Sequence, residues 1–446
     1  MLALLTVRGC HVSVLRAVVT GVPEVDELGT VTGATIISRH VEPLLTYLRG
    51  RLETAGAGRL TAAELAVLAA AGCLHAIGER DPAVRPHAAI VDELNAMAAR
   101  QVDEPDFDRR LVVYGQVNER LRHAERLEDD LLRLVVHNCL WSVEHESDLA
   151  LRDSSTFCLQ EVARTVGRLF TAGPSAAASF LSSCLLPALR LRLRSRSDEL
   201  RHETVAVLQV AVLACGPHVP KLAELAQLGD PADAERDFFE NIRHIQVHRR
   251  TRALKRVVEG LADGSLVIRA DVITNYVLPL ANVYLFNDKY AKYTALTDAA
   301  VRLIGLVACR MSWHQYQTFL RHYLALLPTC PRQRDAVKVL VAVLDAFHFD
   351  LSLVTPDVTM SIISAARSDQ RGWRTHLHAG LVRRARGDEQ HALNRTLQPD
   401  EERAQRLPLA LAMIKLLQKL PPGILEANVA RILGVVRADY DRRLGW

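Results

Sequence analysis

Apolar residues recur along most of this chain at positions i, i+3, i+4 and i+7, the spacing that gathers them on one face of an α-helix. Leu60 to Ile77 reads LTAAELAVLAAAGCLHAI and opens with Thr61 followed three residues later by Glu64, a capping-box pattern. The same periodicity predicts helices at about 33–52, 84–100, 106–123, 128–144, 152–171, 175–194 and 197–214. It predicts more at about 238–262, 269–285, 289–311, 313–327, 331–347, 407–420 and 424–438. Gly, Pro and Asp punctuate the gaps, as at Gly173-Pro174, Gly216-Pro217 and Asp263-Gly264. Only Leu189 to Ser195 alternates as a strand would. Helix pairs of this length joined by tight turns predict an all-α fold, an α-solenoid of HEAT/armadillo-like helix pairs.

Self-similarity favours the HEAT type. Asp148 leads to Arg152 and Leu159, Asp198 leads to Arg201 and Leu208, and VHRRTRAL at 247–254 fits more loosely. The expected use is a ladder in which each Arg bonds the Asp of a neighbouring repeat while the leucines form a continuous core. Helical repeats are expected over 1–385. Residues 386–406, RGDEQHALNRTLQPDEERAQR, mix both charge signs with few apolar residues and read as a flexible charged loop, before a further repeat at 407–446. Gln227 to Asp237 is a shorter loop of the same kind.

Composition changes the picture in one respect. A length of 446 residues suggests about three globular domains, but 49% apolar residues with only 5% aromatics fit thin aliphatic seams repeated between helices better than separate aromatic cores. The eight cysteines lie far apart with no CxxC pair and read as buried thiols in a reducing compartment. The most apolar stretches, Ser175 to Leu189 and Thr204 to Cys215, are shorter than the roughly 18 residues a membrane span requires. Met1 to Val7 makes a poor secretory signal. Arg8, His11 and Arg16 precede the first acidic residue, Glu24, a pattern shared by transit peptides and ordinary amphipathic helices.

Catalytic motifs are missing: there is no GxxxxGK[ST], no GxGxxG after a strand, no GxSxG and no HExxH. Glu125, Glu128, Asp129 and Asp130 fit a solvated helix N-terminus better than an acid/base pair. His244 and His248 are spaced i, i+4 but lack a third ligand nearby. The chain therefore reads as no enzyme, with no cofactor, metal, membrane or small-molecule substrate.

Two basic clusters remain. Arg190, Arg192, Arg194 and Arg196 alternate with leucines; they suit phosphate contact, or the C-terminus of a helix running into a solvated turn. The second cluster is HIQVHRRTRALKR, His244 to Arg256. On a helical projection His244, His248, Arg252 and Lys255 share one outward arc, whereas Arg249 and Arg250 fall on or beside the apolar arc. Either the helix breaks near Gln246 or at least one arginine is a buried ladder residue. Residues 237–338 hold 15 Lys and Arg against eight Asp and Glu, a local +7 hidden within a chain-wide +4.

The run DFFENIRHIQVHRRTRALKRVV, Asp237 to Val258, closely resembles a signature of the DRIM (down-regulated in metastasis) family. That family comprises the very large HEAT-repeat subunit associated with the U-three small nucleolar ribonucleoprotein. The likeness continues through SWHQY at 312–316, VLDAFHFD at 343–350, RLPLALAMIKLLQKLP at 406–421 and ILEANVARIL at 424–433. Upstream of about 220 it reduces to general helical-repeat character. The resemblance implies a non-enzymatic scaffold of the small-subunit processome, acting in pre-rRNA processing and small ribosomal subunit biogenesis. It further implies a nucleolar location, with pre-ribosomal RNA, small nucleolar RNA and other processome proteins as partners. Family members are many times longer, so the chain reads as an internal piece of such a protein. Two other readings stay open: a HEAT-repeat protein-binding adaptor of nuclear transport type, and an organellar helical-repeat RNA-binding protein.

Overall fold

The computed structural model describes residues 84–98, 105–326, 330 and 332–349, with a few isolated positions outside these ranges. It divides into two compact units after Gly229. Among the described residues both units are built from α-helices in pairs, with no sheet and one isolated β-bridge, Met97 to Pro105. The predicted helices at 33–52, 60–77, 407–420 and 424–438, and the charged loop at 386–406, lie outside the described ranges.

The first unit contains α1 (Arg85–Leu94), α2 (Phe107–His123), α3 (Asp129–His145), α4 (Leu149–Leu169), α5 (Pro174–Phe180), α6 (Leu186–Arg192), α7 (Asp198–Cys215) and α8 (Pro220–Ala226). Helices α2, α4 and α7 pack side by side in one layer, and α1 and α3 pair in the other, the two-layer arrangement of helical repeats. Helix α4 illustrates the local logic. Asp148 caps its start, its Oδ1 accepting from Leu151 N at 3.0 Å. Cys158, Leu159, Val162, Ala163 and Val166 are buried along it because α4 is flanked by α2, α3 and α7. Each Leu or Val so buried contributes roughly 1.5–3 kcal/mol.

Between α5 and α6 lies a π-helical turn, Leu181–Leu185, in which Leu186 N bonds back to Leu181 O. Pro187 follows immediately and has no N–H to donate, so the widened turn re-routes the ladder around the missing bond. The helix expected over 175–194 is therefore present, running without a break from Pro174 to Arg192 with this π-helical turn inside it. The alternation at Leu189 to Ser195 is not a strand: α6 runs to Arg192 and a turn follows.

Close packing in this unit depends on Gly167. A Cβ there would lie 2.5 Å from Ala214 O, so α4 and α7 approach at a distance only glycine permits. Gly167→Ala is expected to cost about 1–3 kcal/mol, read as a lower midpoint in urea unfolding.

The second unit contains α9 (Phe238–Ile242), α10 (Val247–Asp263), α11 (Ala270–Tyr276), α12 (Leu278–Phe286), α13 (Thr294–Ala308), α14 (Trp313–Leu326) and α15 (Gln333–Asp345). Helices α10, α13 and α15 form its continuous layer, with α9, α12 and α14 paired against them. Helix α10 ends at Gly264, whose φ of 79° is the left-handed cap that glycine adopts without strain. Two of the recognised motifs meet here. Trp313 and Tyr316 pack edge-on against Phe347 and Phe349, and the Tyr316 hydroxyl donates to Val343 O at 2.7 Å. The motifs SWHQY and VLDAFHFD thus join α14 to the end of α15 as one aromatic core.

Polar contacts between neighbouring pairs keep a near-constant separation along the chain. Asn95 Nδ2 donates to Asn138 Oδ1 at 2.7 Å, 43 residues on. Thr165 Oγ1 bonds Leu121 O across 44 residues, Tyr284 bonds Ile242 O across 42, and Tyr323 bonds Asn282 across 41. These separations match a HEAT or armadillo period of roughly 40–47 residues.

Arginines supply the remaining rungs, but not as expected. Among the described residues, the aligned Arg201 does not reach the Asp of a neighbouring repeat, and Arg152 acts on Glu199 at the start of α7. Arg201, 2% exposed, bonds Asp198 of its own helix and Ser195 O. Three cross-repeat arginines bind carbonyls near helix ends: Arg168 takes Leu121 O and Ala124 O, Arg310 takes Leu261 O, and Arg332 takes Tyr284 O and Asn287 O, while Arg122 pairs with Glu161 and Arg192 with Glu144. The last carbonyls of a helix lack intrahelical donors and sit at the negative end of its dipole.

Candidate nucleic-acid interface

The basic run in the second unit starts with a break. Helix α9 stops at Ile242 and α10 starts at Val247, with Gln246 in extended conformation at its N-cap. His244 therefore precedes the helix. Its Nδ1 accepts from Gln246 N at 3.1 Å, and burial together with its neighbours Arg249, His248 and Arg250 pushes its pKa below the usual imidazole value. It is a turn residue outside the helix.

The helix break and a buried arginine both occur. Arg250 is only 5% exposed; its Nε donates to His244 O at 2.6 Å and its Nη1 to the Tyr290 hydroxyl at 2.9 Å. It locks the turn before α10 to the next helix pair and is not available to a ligand. His248, Arg252 and Lys255 are exposed, one helical turn apart on the outer face of α10. Arg249 is partly buried beside them.

Over this face lies Glu235. Its carboxylate stands 3.6 Å from Arg249 and 3.4 Å from Arg252, and its carbonyl accepts from Arg256. The residues of DFFEN hold it there. Asp237 caps α9 through Glu240 N at 2.8 Å and also accepts from Asp230 N at 3.0 Å. Buried Asn241 Nδ2 bonds the carbonyls of Ala234, Glu235 and Asp237. Much of the signature is thus positional chemistry that shapes the loop against α10. Sequence reasoning singled out neither Glu235 nor Asn241. The i, i+4 link from Asp237 to Asn241 was the available signal.

The first unit's basic cluster separates in the same way. Arg192 is buried, its Nε 3.7 Å from Glu144 on α3, and Arg190 is half-buried. Both stand in the last turn of α6, where cations favour the helix dipole. Arg194 and Arg196 follow in the turn and are exposed. Of the ten candidate contact residues, five are exposed: His248, Arg252, Lys255, Arg194 and Arg196.

Chemically, the α10 face offers Arg252 and Lys255 one helical turn apart, an arrangement suited to a polyanion backbone or an acidic protein surface. Among the described residues, no group of three His, Cys, Asp or Glu side chains converges to hold a metal ion. No single described helix is long and apolar enough to cross a membrane.

Residues 68–197 match the family model described as U3 small nucleolar RNA-associated protein 20, N-terminal. The chain is also similar to two curated proteins named U3 small nucleolar RNA-associated protein 20. The one from Schizosaccharomyces pombe is 30% identical over 260 residues, 58% of this chain. The one from Saccharomyces cerevisiae is 29% identical over 269 residues, 59% of this chain. The chain spans about a tenth of the length of these relatives. The family-model match lies upstream of every quoted motif, so the resemblance upstream of about residue 220 is more than general helical-repeat character.

Proposed function

We propose that the chain is part of a non-enzymatic scaffold of the small-subunit processome, acting in pre-rRNA processing in the nucleolus. The carrying observation is the similarity to the two U3 small nucleolar RNA-associated proteins across more than half of the chain. Helix pairs extending over 1–385 and again over 407–446, around a charged loop at 386–406, would offer long surfaces for RNA and protein. In this reading the partners are pre-ribosomal RNA, small nucleolar RNA and other processome proteins. The contact residues are His248, Arg252 and Lys255 on α10, with Arg194 and Arg196 after α6. Arg192 and Arg250 hold the scaffold's own structure.

The test is ultraviolet crosslinking of the tagged protein in cells, followed by sequencing of the attached RNA. Small-subunit precursor RNA should be enriched, and processome proteins should co-purify. Recovery of both at background would overturn the proposal. Imaging of the tagged protein should place it in the nucleolus.

A further inference from the structure

The first unit holds an aromatic residue that its fold does not use fully. Phe157 on α4 is 40% exposed, while its helix neighbours Thr156 and Cys158 are buried. Two guanidinium groups flank its ring. Arg122 on α2 and Arg164 on α4 each have their central carbon 5.8 Å from the ring centroid. Both are about half exposed.

The two arginines are held in place. Glu161, one turn after Phe157, keeps its carboxylate almost fully covered and accepts from both: Arg122 Nε at 3.4 Å through one oxygen, Arg164 through the other. Burying a carboxylate costs free energy unless it is paired and hydrogen-bonded. Here it ties both cations beside one exposed ring and limits their rotamers.

We propose that Phe157, with Arg122 and Arg164, is a stacking site for one base of single-stranded RNA. An exposed ring supplies a π-face that any base can stack on, and flanking arginines supply phosphate contacts or extend the stack. A protein hot spot would need apolar neighbours to exclude water around the ring. The exposed positions one turn away are polar, Asp153 on α4 and Glu119 and His123 on α2, with Glu119 3.7 Å from Arg122; the exposed apolar residues of these helices, Leu149, Val112 and Phe107, lie two or more turns away. The choice of RNA rests on the proposed function, but the site itself rests on geometry independent of the α10 face.

The test uses the full 446-residue chain and a fluorescein-labelled oligouridine of twelve nucleotides, measured by fluorescence anisotropy across a salt series. Phe157→Ala should weaken binding about tenfold with little change in salt slope, whereas Phe157→Trp should retain it. Arg122→Gln should lower the slope by about one. A 4-thiouridine version of the oligonucleotide should crosslink to the α4 peptide containing Phe157. Phe157 is a surface residue, and an unchanged circular dichroism melt confirms that each variant is folded. Wild-type affinity in Phe157→Ala would overturn the site, as would equal loss in Phe157→Ala and Phe157→Trp. Loss of a co-purifying protein with RNA affinity intact would also overturn it, pointing to a protein contact. If Arg252→Gln and Lys255→Gln reduce RNA binding while Phe157→Ala does not, only this site falls. If the wild-type chain does not bind the oligonucleotide even at low salt, the RNA-scaffold reading falls with it.

Discussion

Arg201→Met is expected to destabilise the first unit by about 3 kcal/mol, because it removes one member of a buried charge pair and leaves the other in place. Arg201 is almost completely covered, and Asp198, its carboxylate partner, is largely covered too. The same guanidinium bonds Ser195 O at 2.5 Å, pinning the turn between α6 and α7. Methionine fills much of the space but satisfies neither acceptor. Arg201→Lys should recover little, since a single ammonium cannot reproduce the planar fork that reaches both. Arg250→Met should act similarly in the second unit, through His244 O and the Tyr290 hydroxyl, at about 2 kcal/mol. Urea unfolding of the whole chain checks both, and a loss below about 1 kcal/mol in either would refute the anchoring role. The two variants also separate anchoring from binding: their stability should fall further than their affinity for RNA.

Helix periodicity carried most of the fold into the sequence, because a core of Leu, Val and Ala along one stripe leaves few other solutions. What periodicity could not carry was the direction of each arginine. A seven-residue spacing from Arg to Leu shows that Arg152 and Arg201 belong to equivalent turns. It does not show whether the guanidinium reaches an aspartate on the next repeat or a carbonyl at a helix end. That choice depends on which helix ends come within reach, a property of packing. The helical projection of His244 to Arg256 failed at its first residue for a related reason. His244 lies outside α10, and the break is stabilised by Arg250 bonding back across it. The projection did locate His248, Arg252 and Lys255, since each lies inside the helix where a 100° step holds. Phe157 gave little signal, because a single aromatic on a helix is ordinary until its flanking arginines arrive from a second helix. Glu235 was hidden by its loop, whose path is fixed by Asn241 side-chain bonds.

Glu235→Gln is expected to tighten binding of single-stranded RNA, while Arg252→Gln combined with Lys255→Gln weakens it. The opposite signs follow from one arrangement. The Glu235 carboxylate stands beside Arg249 and Arg252, where a phosphate oxygen would stand if RNA tracked the outer face of α10. Both ion pairs are partly exposed, so each contributes well under about 1 kcal/mol to stability. They can be exchanged for phosphate contacts with little cost to the fold. Removing the carboxylate frees two guanidinium groups, and with one further phosphate engaged the salt slope should steepen by about one. Removing Arg252 and Lys255 should make it shallower by about two, with affinity falling roughly ten- to a hundredfold at low salt. Anisotropy across a salt series measures both. An acidic protein partner, in contrast, would leave the RNA titrations unchanged and move only protein capture. Should Glu235→Gln leave RNA affinity unchanged while the double variant lowers it, the carboxylate is not a phosphate competitor, and RNA crosses α10 on the side away from the loop.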